Sequence, residues 1–483
     1  MHSTQLSSTM VTFPLDDAYI TLHNARVLLT GVDAAYGVSA LAGATSVAHL
    51  LLVAAFGLVV PLPTANMLVG AAAACLYALG LWRLAMSIQT SRWVAIGTLA
   101  IGLCYADTPF QLANGLETGL AMAAVTWAFV LAIEKSPRAL PILCGLMPFI
   151  RPELAVLSIL LIATRAWINP EAFARDVALA AASALPVAAW LVATQGSPIP
   201  ATAGAKAAFF AESALPVRER LSILFESPAA SIVAIMILVS GFLPSRAPFG
   251  MAARLFIACL VIAMIGAMPS AALHNYSRYM YPMLPALILL VVGANGHRLV
   301  AKAALPALAV FTIALSPASL NHLASGAAFT RNENAAAARW ANENLPADAR
   351  ILVHDAGYIA WATRFRLVDL VGLKTPASID EHRRWTLPSA GRERYRAIGA
   401  IAERNAVTHL IALNEGLWST LPADLQRAGW DIRPLRTPEA YGYVIYEVKQ
   451  RRQGSQATLT HASPPPGAAP GTGETGARQR GGS

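Results

Sequence analysis

Charge is scarce in this chain. Asp, Glu, Lys and Arg make up 13% of its 483 residues, while 56% are hydrophobic and the mean hydropathy is +0.51. Soluble domains carry roughly 25% charged residues, so the shortage excludes an ordinary soluble protein and points to a polytopic membrane protein. Cysteine is equally sparse. Cys75, Cys104, Cys144 and Cys259 each lie inside an apolar run without CxxC or Cys/His spacing, which leaves no basis for a disulfide framework or a zinc site and makes them small core residues. Residues 1–13 have neither a basic start nor an apolar core, so no cleavable signal peptide is expected there. There is no internal repeat. The formal net charge of +9 does not indicate nucleic acid, because Lys and Arg fall mainly in short loops between apolar runs, where they set orientation.

What the chain does have is apolar runs long enough, or nearly so, to cross a hydrocarbon layer of ~30 Å. They lie at about 65–84, 93–111, 115–134, 138–150, 153–168, 177–194, 228–243, 255–271, 279–294 and 303–318. The loops after alternate runs carry paired basic residues: Arg83 and Arg92, Lys135 and Arg138, Arg165 and Arg175, Arg246 and Arg254, Arg298 and Lys302. The positive-inside bias expects those loops in the cytoplasm. Gln111 to Asn114, Arg151, the loop 195–227, His274 to Arg278 and everything beyond Leu320 then lie on the other side. The run 39–60 starts rich in Ser, Thr and Gly, contains His49 and closes on Pro61-Leu62-Pro63. It reads either as a span or as a helix lying at the interface, and Asp16 and Asp17 join the outer face only in the second case.

From about Asn332 the composition changes. Asn334 to Leu345 reads as an amphipathic helix, and Arg350 to His354 and Val407 to Ala412 as strands, implying a small α/β domain. The expected organisation is a first extracytoplasmic loop with interfacial helices at 1–64, a helical membrane domain of about ten spans at 65–320, an extracytoplasmic α/β domain at 330–449, and a disordered Pro- and Gly-rich tail at 450–483.

Five polar clusters could carry chemistry. Asp16 and Asp17 lead into Ala18-Tyr19-Ile20-Thr21-Leu22-His23-Asn24-Ala25-Arg26. One carboxylate could cap the helix starting near Ala18, or act as a general base while its neighbour holds a hydroxyl or a divalent cation. Glu117, in Asn114-Gly115-Leu116-Glu117-Thr118, suits a helix macrodipole as well as a substrate. Arg151-Pro152-Glu153 reads as an ion pair bracing a proline break or as an anion anchor. In His274-Asn275-Tyr276-Ser277-Arg278-Tyr279, the Tyr and Arg fit interface anchors, and Arg278 equally fits a phosphate ligand. His354-Asp355-Ala356-Gly357-Tyr358 and Leu367-Val368-Asp369-Leu370-Val371-Gly372-Leu373 have the Asp and Gly of strand-end turns, with contact to an incoming acceptor the less favoured reading.

In that order, from residue 13 to 446, these motifs resemble the multi-pass glycosyltransferases of the GT-C fold, in particular the bacterial arabinofuranosyltransferases and dolichyl-phosphate mannosyltransferase-like proteins. The resemblance implies a polyprenyl-phosphate sugar donor, a glycan, glycolipid or protein acceptor, inversion at the anomeric carbon, and a multi-pass enzyme of the bacterial inner membrane. It implies Asp16 as general base, Asp17 as its partner, Glu117 as an acid near the acceptor and Arg278 as the donor phosphate ligand. Arg26, Arg151, Glu153, His274 and Tyr276 complete the candidate substrate-binding set. No metal is required by such a scheme, because the donor carries one phosphate, although a cation held by the two aspartates is compatible with it. Family members place a transmembrane helix before the paired acids; here fifteen residues precede Asp16, so the natural chain is expected to begin further upstream. The rival readings are a transporter or flippase of lipid-linked glycans, which needs polar groups near mid-membrane, and a non-catalytic scaffold. The near absence of charge from the centres of the runs favours interfacial chemistry.

Overall fold

The computed structural model describes residues 11–88, 91–225, 249–272, 274–293 and 298–451. The expected span at 228–243, the first ten residues and the tail beyond Arg451 lie outside the described residues.

The chain is a polytopic helical membrane protein with a small α/β domain at its C-terminal end. Its first helices are α1 (Asp16–Thr30), α2 (Val47–Gly57), α3 (Leu62–Ile88), α4 (Arg92–Cys104), α5 (Thr108–Ala113) and α6 (Thr118–Ile133). They are followed by α7 (Ala139–Ile150), α8 (Leu154–Ile168), α9 (Phe173–Gln195), α10 (Thr202–Phe210), α11 (Val217–Phe225), α12 (Gly250–Ala267), α13 (Leu284–Gly293) and α14 (Arg298–Phe329). α6 is apolar on every side and nearly all of it is buried, as a helix at the centre of a bundle should be. Tyr77 and Leu81 of α3, Phe129 of α6, Leu157 of α8, Phe256 of α12 and Leu289 of α13 share its core. Outward-facing Leu185, Ile262, Val310 and Phe311 are 60–68% exposed, a surface that suits lipid. Among the described residues, four helices, Leu62–Ile88, Pro170–Gln195, Gly250–Ala267 and Leu308–Asn344, have the length and composition to cross a membrane; five more apolar helices are 10–17 residues long.

One expectation is corrected here, and one open choice is decided. The run 93–111 is not one helix: it breaks at Tyr105 to Asp107, where Ala106 takes a positive φ of 46°. The run 39–60 yields the eleven-residue α2, capped by the Ser46 hydroxyl accepting from the His49 amide at 3.2 Å. At 1.5 Å per residue α2 covers roughly 16 Å, about half of a hydrocarbon core, so it is too short to span.

α14 does not end at the bundle. It passes through a π-helical turn (Thr330–Asn334) into α15 (Ala335–Asn344), so one continuous rod enters the C-terminal domain. That domain comprises β1 (Arg350–Val353), α16 (Tyr358–Ala362), β2 (Arg366–Asp369), α17 (Ala377–Glu381), α18 (Arg394–Arg404), β3 (His409–Leu413), α19 (Leu421–Arg427), β4 (Trp430–Arg436) and β5 (Tyr443–Gln450). The strand order is β2-β1-β3-β5-β4. β1 runs parallel to β2 and β3, pairing Val353 with Asp369 and Ile411, while β5 is antiparallel to β3 and β4. The ends of β1 and β2 that carry Asp355 and Asp369 are the carboxyl ends, the edge where open α/β sheets usually place ligands. Phe13, Leu22, Val47 and Leu50 of the N-terminal segment share one apolar core with Ala337, Ile351, Phe365, Ile411 and Ile445. The first loop and the α/β domain are therefore packed as one body.

Candidate active site

Asp16 and Asp17 open α1, and adjacent positions on a helix point about 100° apart. Their environments differ accordingly. Asp16 does not cap α1, whose N-cap, Leu15, makes no side-chain bond. Instead its carboxylate accepts the backbone N–H groups of Gly357 (2.8 Å) and Tyr358 (2.7 Å), at the start of α16. A Cβ on Gly357 would collide with the main-chain oxygen of Asp16, so this approach requires glycine. Burial, then the neighbouring Asp355 carboxylate, holds the Asp16 pKa well above the ordinary carboxylate range, against the lowering effect of the two N–H groups.

Asp17 points the other way. Its Oδ2 accepts from Arg278 Nη1 at 2.8 Å and Asn275 Nδ2 at 3.2 Å, with Lys206 Nζ at 3.9 Å and His274 Nε2 at 4.0 Å. Burial acts to raise its pKa, but Lys206 and Arg278 outweigh it and hold the group ionised. Burial and the Lys206 and Arg278 charges push His274 down to about 3, so its imidazole is neutral at physiological pH.

A strained turn delivers Arg278. Asn275, Tyr276 and Ser277 all have positive φ (49°, 58° and 61°), a left-handed conformation that costs roughly 1–2 kcal/mol per non-glycine residue. Gln111 Nε2 offsets part of this by donating to the carbonyls of Asn275 (2.9 Å) and Tyr276 (3.0 Å). Beyond the turn, three cations gather on the Tyr279 ring. The Arg151 and Arg278 guanidinium carbons lie 4.7 and 4.9 Å from its centroid, while Arg278 Nη2 and Lys206 Nζ approach its hydroxyl at 3.1 and 3.5 Å. Burial alone would raise the Tyr279 pKa, yet Arg278, Lys206 and Arg151 bring it below its ordinary value. Arg151 is fully buried; its Nε contacts Glu153 at 2.5 Å and its Nη1 lies 3.4 Å from Glu117. Neither Arg151 Nη1 nor Nη2 has a hydrogen-bond partner. Buried donors left without hydrogen-bond acceptors are costly, and Glu117, which faces Nη1, lines the first of the clefts described next.

Two clefts meet at Asp17. One, with about 480 Å³ of empty space partly open to solvent, is lined by Asp17, Asn24, Ser46, Glu117, Lys206 and Arg278. The other, with about 670 Å³, is lined by Asp16, Asp17, His274, Asn334, Asp355 and Tyr443. In the second, the Tyr443 hydroxyl donates to Asp355 Oδ2, and Asn334 Oδ1, on the π-helical turn, has no hydrogen-bond partner.

The sequence candidates thus divide. Asp16, Asp17, Glu117, Arg151, Glu153, His274 and Arg278 converge within this region. Tyr276 turns aside to stack on His322 and Phe110, each at 4.6 Å. Arg26 donates to the carbonyls of Trp361 and Ala360 (2.9 Å each) and lies over the Trp361 ring, bracing α16 from the far end of α1. Asp369 makes the expected turn, accepting from the Val371 and Lys374 amides. Sequence reasoning passed over Lys206, Tyr279 as the ring the cations share, Asn334 and Tyr443. Among the described residues, no group of three or more His, Cys, Asp or Glu side chains could hold a metal ion.

Residues 323–453 match a family described as a domain of unknown function (DUF8728), and no curated protein sequence matches the chain. Among solved structures, ArnT from Cupriavidus metallidurans bound to undecaprenyl phosphate is similar with a TM-score of 0.57 and 10% identity, over 91% of this chain and 94% of that one. ArnT in the apo state gives a TM-score of 0.54 and 11% identity over the same shares. A mycobacterial arabinofuranosyltransferase, AftD, gives 0.44 and 16% identity over 91% of this chain and 40% of its own. At such identities the likeness establishes architecture: the chain has the GT-C fold.

Proposed function

We propose that this protein is an inverting membrane glycosyltransferase that moves a sugar from a polyprenyl-phosphate donor to a glycan, glycolipid or protein acceptor, on the extracytoplasmic face of a bacterial inner membrane. The observation that carries the reading is the convergence of Arg151, Lys206 and Arg278 on Tyr279, beside a cleft that Lys206 and Arg278 line. A site built this way favours an anion, and a guanidinium matches phosphate geometry. ArnT, of the same fold, is known with undecaprenyl phosphate bound.

In this reading the donor phosphate occupies the cationic cleft and the acceptor hydroxyl enters the carboxylate cleft. Asp16 takes the hydroxyl proton as the acceptor oxygen attacks the anomeric carbon from the face opposite the phosphate. The bond from that carbon to the phosphate oxygen breaks, its electron pair stays on the departing polyprenyl phosphate, and Arg278 and Lys206 stabilise the developing charge. Asp17 keeps Arg278 in place. Two neighbouring carboxylates whose pKa values are pushed apart suit such a division of labour: the one raised toward neutrality is the better base.

The test is transfer by the purified protein in nanodiscs, with polyprenyl-phosphate pentoses and hexoses offered in turn. Release of polyprenyl phosphate that depends on Asp16 is expected. Wild-type turnover by Asp16→Asn, or no turnover with any lipid-linked sugar, sinks the proposal, as do reporter fusions placing residues 16–30 and 335–449 in the cytoplasm.

A further inference from the structure

A third cleft lies on the α/β domain and shares no lining residue with the two described above. It holds about 1110 Å³ of empty space, partly open to solvent, between the π-helical turn His382–Thr386, α18, α19 and the end of β5. Four arginines border it, and three of them lie over aromatic rings. Arg427 Cζ lies 3.9 Å from the centroid of Tyr395, Arg384 Cζ 4.9 Å from that of Trp385, and Arg396 Cζ 5.1 Å from Trp385 and 5.8 Å from Tyr395. The fourth, Arg404, is neutralised by Glu381 at 2.9 Å, and Arg396 has only the exposed Glu393 at 3.6 Å. Arg384 and Arg427 make no ion pair among the described residues.

We infer that this groove binds an acidic saccharide chain. The rings hold Arg384, Arg396 and Arg427 by cation–π contact, and Arg384 and Arg427, with no ion pair among the described residues, are suited to take a carboxylate or phosphate through two parallel bonds. A single inorganic phosphate would fill little of the space. Trp385 and Tyr395, both half-buried in the groove wall, add apolar ring edges beside the guanidiniums, against which sugar C–H groups can pack. A uronic-acid oligomer, with a carboxylate on each amphipathic ring, matches both features at once. The site stands apart from the transfer reading, because binding is measured without turnover.

The experiment uses the full chain in nanodiscs of zwitterionic lipid, with galacturonate hexamer as probe and calorimetry or thermophoresis as readout. The hexamer should bind, weaken as salt is raised, and bind at least about ten-fold more tightly than neutral maltohexaose. Trp385→Ala and Arg427→Gln should each weaken it about ten-fold or more, as truncated aromatic and arginine anchors do. Unchanged near-UV circular dichroism confirms folding, and Trp385→Phe with Arg384→Gln replaces any variant that fails. Asp17→Asn should bind the hexamer normally even where transfer is lost, which separates this site from the catalytic one. Hexamer affinity unaffected by the groove variants overturns the inference. So does binding of inorganic phosphate, oligothymidylate or anionic vesicles at the same groove as tightly as the hexamer.

Discussion

The two clefts that meet at Asp17 carry opposite electrostatics although adjacent residues of one helix serve them. On one side Lys206 and Arg278 hold Asp17 ionised; on the other, burial and Asp355 hold Asp16 toward its neutral form. Neither aspartate differs from the other in kind. The α/β domain makes the difference, because Asp355, Gly357 and Tyr358 surround Asp16, whereas the turn before α13 and α10 bring cations to Asp17. A carboxylate pair at the start of a helix thus gains two opposite environments through what the rest of the chain packs against each member.

The sharpest way to break this comparison is to neutralise the two aspartates separately. Asp16→Asn should lower single-turnover transfer by about 10²–10⁴, the range of general base catalysis, with insertion and unfolding temperature unchanged. Asp17→Asn should mainly disorder Arg278 and weaken donor binding. If the two outcomes are exchanged, the base is Asp17 and the assignment of the clefts reverses.

The next largest effect concerns how the domain that sets the contrast is held. Lys374 Nζ lies 3.1 Å from Asp33 Oδ2 and 2.7 Å from Asn24 Oδ1, with the Asp33 and Lys374 side chains fully buried. This joins the segment after α1 to the loop after β2. Lys374→Met leaves Asp33 Oδ1 with His23 at 3.0 Å and the Ala35 and Tyr36 amides but takes the cation from the buried Oδ2, and should cost about 3–5 kcal/mol. Thermal unfolding and limited proteolysis near residue 345 are the measurements. Adding Asp33→Asn should recover part of the loss; a silent Lys374→Met would mean that the apolar core alone docks the domain.

On the cationic side, Arg278→Gln should reduce kcat by about 10²–10³, the loss seen when a preorganised transition-state donor is removed. Arg278→Lys should recover only part, since it keeps charge without the two-pronged geometry. A change confined to KM would make Arg278 a ground-state ligand and remove it from the departing phosphate.

The apolar runs made the bundle legible, because period and length are local properties. Asp16, Glu117, Arg151 and Arg278 stood out because charge is rare here. What stayed hidden was the long-range pairing. Lys206 lies in the segment 195–227, which reads as a long loop without a motif but folds as α10 around it, and Lys374 meets Asn24 across 350 residues. The left-handed turn at Asn275 to Ser277 contains no glycine to announce it, and the break at Tyr105 to Asp107 keeps an apolar neighbourhood on both sides. The sequence leaves one of the two aspartates open between a cap for its own helix and a general base; the Asp16 carboxylate accepts from the start of α16, a partner that only the folded domain supplies.

The mildest test touches the contrast without removing either carboxylate. The Asp16 pKa is raised first by burial and next by Asp355. A base must be deprotonated to act, so transfer should rise as pH passes upward through that pKa, producing the acid limb of the rate profile. Asp355→Asn removes the second cause and leaves burial and the two backbone donors in place. The Asp16 pKa should fall, and the acid limb of kcat/KM should move to lower pH while the plateau changes little. Tyr443→Phe offers the companion measurement. It removes the hydroxyl that donates to Asp355 and helps keep that carboxylate ionised, so it should move the limb the same way, by less. A limb that stays fixed in both variants would mean that the titrating base is not Asp16, and the opposition between the clefts would then describe binding and not proton transfer.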